Sequence, residues 1–458
     1  MSVSAEPQGG VGTTNAAAAI RRRLVRGSMT VFVGMVAGTI LTLVFNAMLA
    51  RMVSHATLGA YFLVFSMVMI ATTIAQLGLD KTVVRFVAAA RATKHLGRVR
   101  RTIAVVFGIG AAGSLVIAIV LMLGLGHFLA TSVYHSHAVA GVVWLAAAWI
   151  IVNALLSLTA ETFRGFKQFW PATLYSGLAV DILLVVGFGA LWIAGVRPTL
   201  AQAVGVTVAA TGLALAAGAL TLWRRVAPLE GEGTTGVLEV TAVSLPLLVT
   251  SLANFAVGTG VDLWVVGHFS SQPDVALYGA ASRLVFFVAT PLIVVSQVVP
   301  PIIAELHARG ERDQLERTLR SVSTLAGLPA ALVLVAFIGA GGFILSLAYG
   351  PYFRNAATVL VILSCARLVA VCTGSSGVTL MMTGHQRTMM LITVGSGAFA
   401  LTAEILLAPA YGITGVAAAT CAAQILLNGL QLVFARIHVG IWTHARFSLE
   451  PIRELVRG

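Results

Sequence analysis

Charged residues are scarce in this sequence: Asp, Glu, Lys and Arg make up 10% of its 458 residues, while 58% are hydrophobic. An ordinary soluble domain is about 25% charged, so too few polar groups are present here to cover the surface of a soluble globule. Cysteine is rarer still, and Cys365, Cys372 and Cys421 all lie inside apolar runs, which excludes a disulfide framework. The composition is that of a polytopic membrane protein.

Acidic residues are outnumbered by basic ones, 16 to 29, which leaves a net charge of +13. In a membrane protein such an excess reflects the positive-inside rule, so we expect no nucleic-acid partner. The sequence has no Gly-x-x-x-x-Gly-Lys-Ser/Thr loop and no repeated selectivity-filter motif, which excludes an intrinsic ATPase and a potassium-type pore. His135 and His137 have no carboxylate or Cys nearby, so a polar loop is favoured over a metal site, and we predict no metal or cofactor.

Long apolar runs occupy most of the chain and predict transmembrane helices. A spanning helix needs about 20 mostly apolar residues, and these runs lack the strict alternation of barrel strands. The first run follows the basic stretch 21–26 and is too long for a cleaved signal peptide. The sequence therefore predicts an all-α polytopic protein with twelve spans, at about 29–50, 58–78, 102–124, 139–160, 172–194, 200–223, 241–265, 277–303, 321–347, 356–382, 388–408 and 413–435.

The basic residues predict the orientation of the spans. If the N-terminus is cytoplasmic, every Lys and Arg falls on the cytoplasmic side except Arg51, Arg197, Arg283, Arg354 and Arg367. A miscount of one span would invert every later loop and destroy this bias. The sequence therefore predicts that both termini lie in the cytoplasm.

An internal repeat appears at an offset of 217 residues, which relates Tyr61 to Tyr278. The offset covers six spans, so it predicts two six-helix bundles in the same sense, related by a pseudo-twofold axis along the membrane normal. Two charged segments, 80–101 and 304–320, are predicted to be amphipathic helices at the cytoplasmic interface. The predicted parts are an N-terminal tail, an N-lobe, a linker, a C-lobe and a C-terminal tail, at residues 1–28, 29–223, 224–240, 241–435 and 436–458.

Arginines in or beside the spans are the first candidates for a functional site, because ionisable groups in a membrane are costly. Arg283 lies one to two turns into span eight, and Arg367 lies near mid-depth in span ten. A guanidinium can bind a phosphate with two hydrogen bonds, so both predict a cavity for an anionic substrate. Arg51, at the outer end of span one, and Arg85, at the inner end of span two, are further substrate-binding candidates.

Three acidic residues in the spans are candidates for coupling transport to a cation. Asp181 lies half-way along span five, Asp262 near the outer end of span seven, and Glu404 towards the outer end of span eleven. A buried carboxyl group can take up a proton near neutral pH. The alternatives are structural: Asp262 pairs with Arg283, Arg367 pairs with Glu404, and Asp181 makes a hydrogen bond between helices.

Short motifs along the chain carry a resemblance to one known family. They are Ala-Met-Leu-Ala-Arg at 47–51, Leu-Gly-Ala-Tyr at 58–61, Gly-Leu-Asp at 78–80, Gly-His-Phe at 267–269, Tyr-Gly-Ala-Ala-Ser-Arg-Leu at 278–284, Tyr-Gly-Pro-Tyr-Phe at 349–353 and Gly-His-Gln-Arg at 384–387. In this order and spacing, over residues 25–435, the chain resembles bacterial polysaccharide-biosynthesis flippases of the multidrug/oligosaccharidyl-lipid/polysaccharide exporter superfamily.

The resemblance implies a flippase of the bacterial plasma membrane that moves an undecaprenyl-diphosphate-linked oligosaccharide to the outer leaflet. It implies that Arg283 occupies the place of a diphosphate-binding arginine, and that the chain serves a capsule-like or O-antigen-like pathway. The implied partners are membrane lipids and a polymerase or glycosyltransferase complex.

Three alternatives remain open. A multidrug or metabolite antiporter of the same fold would favour acidic and aromatic cavity residues over arginines. A membrane-embedded polymerase or ligase would need a larger outer loop than the connection at 125–138, so no enzyme is predicted. A scaffold for envelope enzymes would leave two arginines within the spans unexplained.

Overall fold

We describe residues 33–92, 95–229, 231, 234–257 and 260–446 of a computed structural model, and within them the regular secondary structure is helical, with no strand. The predicted N-terminal tail and most of the predicted C-terminal tail lie outside this part of the chain. The helices of the first half are α1 Val33–Met52, α2 His55–Ala75, α3 Leu79–Ala92, α4 Leu96–Val133, α5 Val143–Gly165, α6 Phe169–Ile193 and α7 Leu200–Val226. Those of the second half are α8 Val237–Val257, α9 Asp262–Phe269, α10 Gln272–Ala308, α11 Arg312–Tyr349, α12 Pro351–Thr373, α13 Ser376–Met382 and α14 Gln386–Val439.

Ten helices in the described part of the chain are long and apolar enough to cross a membrane, so the protein is a multi-pass membrane protein. One of the ten is α14, whose 54 residues would extend about 80 Å as a straight helix, far more than a bilayer core of about 30 Å. Its backbone leaves the helical conformation at Gly412 (φ 56°, ψ −140°). Predicted spans eleven and twelve fall on either side of that break, and the total of twelve spans remains a prediction.

Two predicted spans are wrong as continuous helices. Span seven, predicted at 241–265, is divided between α8, which ends at Val257, and α9, which begins at Asp262, and residues 260 and 261 belong to neither helix. Span ten, predicted at 356–382, is broken between α12 and α13 at Gly374, whose φ is +73°. The carbonyl oxygen of Thr443 would lie 2.6 Å from a Cβ at Gly374, so the chain near the C-terminus occupies the space at this break.

The charged segments predicted at 80–101 and 304–320 differ from each other in their helical structure. The helix α3 is separate and amphipathic, with Leu79, Val83 and Val87 buried on one face and Lys81 and Arg85 exposed on the other. The prediction of a matching helix over 304–320 is wrong. Instead α10 continues unbroken to its last residue at 308, and α11 begins at 312, because the apolar face of each long helix continues past the predicted ends of the spans.

Packing groups the helices within each half. In the first half, α2, α3, α4 and α7 pack against α5, whereas in the second half α8, α9, α12 and α13 pack against α14. The largest contact between the halves joins α2 to α10, and smaller ones join α8 to α2 and α3. The cleft described below therefore has α2 on one side and α10 on the other.

Contact between α2 and α10 is closest at the end of α2 that is predicted to face outward. A Cβ added at Gly59 would collide with the carbonyl oxygen of Gln272, and one added at Gly279 would collide with the ring of Phe62. Nearby, the ring of His55 stacks on the ring of Tyr352, with centroids 3.9 Å apart. Small residues at these positions allow the two helix backbones to approach each other.

We expect Gly59→Ala to destabilise the protein, because the new methyl group has no space beside the Gln272 carbonyl. Overpacking of this kind costs about 1–3 kcal/mol. The matched control is Gly339→Ala on α11, where a Cβ would meet nothing within 4 Å. Thermal unfolding in detergent should show a lower midpoint for Gly59→Ala alone; equal midpoints for the two variants would contradict the close contact.

Candidate functional site

Two adjoining cavities lie next to the contact between α2 and α10. The first, of about 520 Å³, is the cleft between the halves; Phe62, Phe65 and Met69 of α2 line it on one side and Gly279 and Arg283 of α10 on the other. The second, of about 410 Å³, lies within the first half, between α1, α2, α5, α6 and α7, and we call it the first-half chamber. Both volumes are within the range of ligand pockets.

Arg283 lies where the two cavities meet and lines both of them. Its guanidinium carbon is 4.4 Å from the ring centroid of Phe65 and 5.6 Å from that of Phe62, within the range of cation–π attraction. Among the described residues it forms no hydrogen bond and no ion pair. The aromatic rings hold the group in place while its N–H donors stay available to a ligand.

Local sequence places Arg283 at this position. Ser271 and Asp274 form a capping box that starts α10, with the side chain of each accepting from the backbone N–H of the other. Arg283 follows about three turns later, on the side of α10 that faces α2. Phe62 and Phe65 are three residues apart, so they share one face of α2 and meet the guanidinium together.

Asp181 lies on the wall of the first-half chamber, on α6. The hydroxyl of Thr42 on α1 donates to its Oδ2 at 3.0 Å, so the predicted hydrogen bond between helices exists. Asn153 and Glu161 of α5 also line this chamber. The group predicted as a coupling residue is therefore placed in a polar cavity next to Arg283.

Asp262 and Glu404 come together in the second half, where both are buried. The hydroxyl of Tyr278 donates to Asp262 Oδ2 at 2.6 Å, and the hydroxyl of Thr420 lies 3.1 Å from the same oxygen and 3.2 Å from Glu404 Oε1. The other carboxyl oxygens, Asp262 Oδ1 and Glu404 Oε2, have no hydrogen-bond partner in the described part of the chain. No group of three His, Cys, Asp or Glu close enough to hold a metal ion occurs in that same part.

The structural alternative of two Arg–carboxylate ion pairs is not found. Neither Arg283 nor Arg367 lies within 4.0 Å of a carboxylate among the described residues. Arg367, on α12, acts on Asp262 only through longer-range electrostatics. It lines neither of the two cavities, so the structure does not bring it together with Arg283.

The two remaining arginine candidates also lie elsewhere. Arg51, at the end of α1, donates a hydrogen bond to the carbonyl oxygen of Leu347 at the end of α11. It therefore joins the two halves near the end at which α2 and α10 are in closest contact. Arg85 lies on the exposed face of α3. Neither arginine lines the cleft or the first-half chamber, because a position near the end of a span does not fix which way a side chain faces.

Several residues of the site were not identified from sequence. Thr420 bridges the two buried carboxyl groups, and Phe62 and Phe65 support Arg283. The three-residue spacing of the two phenylalanines indicates a shared helix face, but it does not reveal what faces them. Asn46 and Asn153, which line the first-half chamber, resemble ordinary polar residues in spans.

Comparison with known proteins gives both a family and a fold. The family model described as "Polysaccharide biosynthesis protein" matches residues 24–307. No match was found among curated proteins.

Solved structures of transporters match almost the whole chain. An inward-facing multidrug-resistance MATE-family transporter of the MOP superfamily shares 12% identity, with 88% of this chain and 94% of that chain covered and a TM-score of 0.71. The lipid II flippase MurJ, in an inward closed conformation, shares 14% identity over 93% and 90%, with a TM-score of 0.69. A MOP-superfamily transporter from Pyrococcus furiosus shares 13% identity over 91% and 95%, with a TM-score of 0.60. At these identities the likeness establishes the MOP-superfamily fold.

We expect Tyr278→Phe to reduce stability more than Tyr61→Phe, although the two tyrosines are related by the internal repeat and both are buried. Tyr278 donates to a carboxyl group, whereas Tyr61 shares a hydrogen bond of 3.1 Å with the hydroxyl of Thr207. Hydrogen bonds to charged groups contribute about 1.5–3 kcal/mol and neutral ones about 0.5–1.5 kcal/mol. Thermal unfolding of the two variants in detergent checks this order, and the reverse order would show that Asp262 does not depend on Tyr278.

Proposed function

Because this chain belongs to the polysaccharide biosynthesis protein family, we propose that it is a flippase for an undecaprenyl-diphosphate-linked oligosaccharide. It moves this lipid from the inner to the outer leaflet of the bacterial plasma membrane, for synthesis of a cell-surface polysaccharide. The MOP-superfamily fold, which is shared by transporters and a flippase, supports this proposal. These relatives are transporters and not enzymes.

The observation that carries the proposal is the guanidinium of Arg283 at the junction of the two cavities, which forms no hydrogen bond or ion pair with the described residues. Arg283 is half-buried. A charge that is partly withdrawn from water without a partner is costly, and here two phenyl rings offset only part of that cost. A diphosphate supplies the oxygen acceptors that the guanidinium lacks. Arg283 is therefore the diphosphate-binding residue of the proposed flippase.

The physical problem for such a flippase is the polar headgroup. A diphosphate with sugars cannot cross about 30 Å of hydrocarbon unaided, whereas the apolar prenyl chain dissolves in the lipid. In the proposed mechanism the headgroup occupies the cleft and the chain remains in the membrane. Movement of one half against the other then exposes the headgroup on the far side. This movement requires the contacts of Gly59, Arg51 and His55 with the second half to break.

Coupling to a cation is proposed for Asp262 and Glu404. Two carboxylates joined through one threonine hydroxyl repel each other when both are ionised. A proton or a metal cation between them removes this repulsion. The oxygens Asp262 Oδ1 and Glu404 Oε2, which have no hydrogen-bond partner among the described residues, can bind it. Asp181 is a second coupling candidate, since it faces the first-half chamber.

A polymerase or glycosyltransferase complex is proposed as the partner that supplies and consumes the lipid-linked oligosaccharide. The remaining candidate function is a multidrug antiporter of the same fold. It is less favoured, because the positive charge of Arg283 does not attract an organic cation. Reconstitution in liposomes can distinguish this antiporter from the flippase.

Reconstitution in liposomes tests the role of Arg283. We expect the wild type to move a fluorescent undecaprenyl-diphosphate oligosaccharide between leaflets, and Arg283→Gln to lose at least about tenfold in rate, since a lost charged hydrogen bond costs about 1.5–3 kcal/mol. Arg283→Lys keeps the charge but loses the planar guanidinium group, so its flipping rate should lie between the rates of the wild type and Arg283→Gln.

The matched control is Arg309→Gln, which removes an exposed arginine from the end of the same helix and should leave the rate unchanged. Unfolding temperatures identify variants that fail to fold. Absence of lipid movement by the wild type, together with efflux of an organic cation such as ethidium, would replace the flippase with the antiporter.

A second set of variants tests the coupling proposal. Asp262→Asn and Glu404→Gln should abolish the acceleration of flipping by an imposed proton or sodium gradient, because each removes one of the two charges that bind the cation. Flipping without a gradient should continue. Asp313→Asn, on the exposed first turn of α11, serves as the control and should respond to the gradient as the wild type does. A full response in both test variants would exclude this pair.

A further inference from the structure

The first-half chamber differs in chemistry from the cleft that it adjoins. Among its described lining residues, Arg283 is the one contributed by the second half, and it is also the one basic residue. Two carboxyl groups, those of Asp181 and Glu161, line the same chamber. Positive charge therefore lies at the entrance to the chamber and negative charge lies on its walls.

Among the described residues, neither carboxyl group forms an ion pair with a residue that lines the chamber, and Arg283 acts on Asp181 only through longer-range electrostatics. Asp181 accepts a hydrogen bond from the hydroxyl of Thr42 at 3.0 Å, which is a neutral donor. Glu161 pairs through Oε1 with Arg164, whose side chain is 41% exposed and lies outside the lining, and its Oε2 has no partner among the described residues. The chamber thus offers hydrogen-bond acceptors, and its two carboxyl groups outnumber the one basic residue, Arg283, among its described lining residues.

The rest of the lining is hydroxyl, amide and aromatic. Asn153 and Ser157 of α5 and Ser176 of α6 add short polar groups, each able to donate or accept a hydrogen bond. Trp149 and Tyr61 provide adjacent rings, with centroids 6.2 Å apart. Many short polar groups with aromatic rings suit a ligand that has several hydroxyl groups and an apolar ring face, which describes a sugar.

We propose that the first-half chamber is a subsite for the sugar attached to the diphosphate, and that it selects a sugar without a carboxylate, either neutral or amino-substituted. The inference rests on the proposed function, since it takes the diphosphate to lie against Arg283. With the phosphates there, the adjoining first-half chamber receives the attached sugar. Its volume of about 410 Å³ is within the range of small-molecule pockets.

Charge decides which sugars the chamber accepts. A uronic acid would bring a third carboxylate beside Asp181 and Glu161, and like charges placed together in a binding site cost several kcal/mol. A neutral sugar donates its hydroxyl groups to the same carboxylates at no such cost. An amino sugar gains attraction in addition.

Binding of two matched lipids tests the proposal. The probes are farnesyl-diphosphate-linked glucose and farnesyl-diphosphate-linked glucuronic acid, which differ only by a carboxylate in place of a hydroxymethyl group. Purified full-length protein in nanodiscs should bind the glucose lipid at least about tenfold more tightly than the glucuronic acid lipid. Equilibrium binding requires neither coupling nor completed transport, so it compares the two lipids at the binding step alone.

Asp181→Asn provides the sharper measurement, because it should gain affinity for the acidic lipid. The amide keeps an oxygen for the Thr42 hydroxyl and removes the charge, so the tenfold preference should fall to about threefold or less. Glu305→Gln removes an exposed carboxylate at the far end of α10, and it should keep the preference of the wild type. An increase in affinity also distinguishes a changed site from a misfolded one.

The possible failures can be told apart. If neither lipid binds, or if binding does not depend on Arg283, the proposed function fails. If both lipids bind equally through Arg283, or if the glucuronic acid lipid binds more tightly, the function stands and the inference about the chamber is overturned. The inference about the chamber is also overturned if Asp181→Asn and Glu305→Gln change the preference for the glucose lipid equally.

Discussion

The close approach of α2 and α10 is the constraint on which the central site depends. Gly59 and Gly279 bring the two helices together at one end, and beyond this contact the helices enclose the cleft. A side chain on α10 just past the contact, such as Arg283, therefore faces α2 and meets the rings of Phe62 and Phe65. The same glycines that hold the halves together at one end thus fix the position of the cationic group.

The helix α10 also separates two polar systems that would otherwise neutralise each other. Tyr278 faces the second half and donates to Asp262, whereas Arg283, five residues later, faces the first half. A spacing of five residues turns a helix by about 500°, so the two side chains lie on different faces. In the proposed flippase this keeps substrate binding and cation binding distinct, although residues of one helix take part in both.

Sequence reasoning recovers the parts of this protein that depend on local chemistry. Hydropathy predicts the long apolar helices, and the ordered motifs predict the family to which residues 24–307 belong. It separates spans eleven and twelve at the break at Gly412, but it misses the end of α12 at Gly374, where the distant Thr443 carbonyl packs against the chain. It identifies Asp262 and Glu404 singly but does not predict that they meet, because their meeting at Thr420 depends on how α9 packs against α14.

A substrate that spans both cavities would sense the relative position of the halves. Arg283 belongs to the second half, whereas Asp181 and Asn153 belong to the first. A ligand shifts an equilibrium between conformations only by the difference in its affinity for them. A diphosphate bound to Arg283 alone gains little from any arrangement of the halves, but one with a sugar in the first-half chamber binds best when the two sites are correctly spaced. Division of the headgroup between the halves therefore gives the attached sugar a direct influence on the movement that carries it.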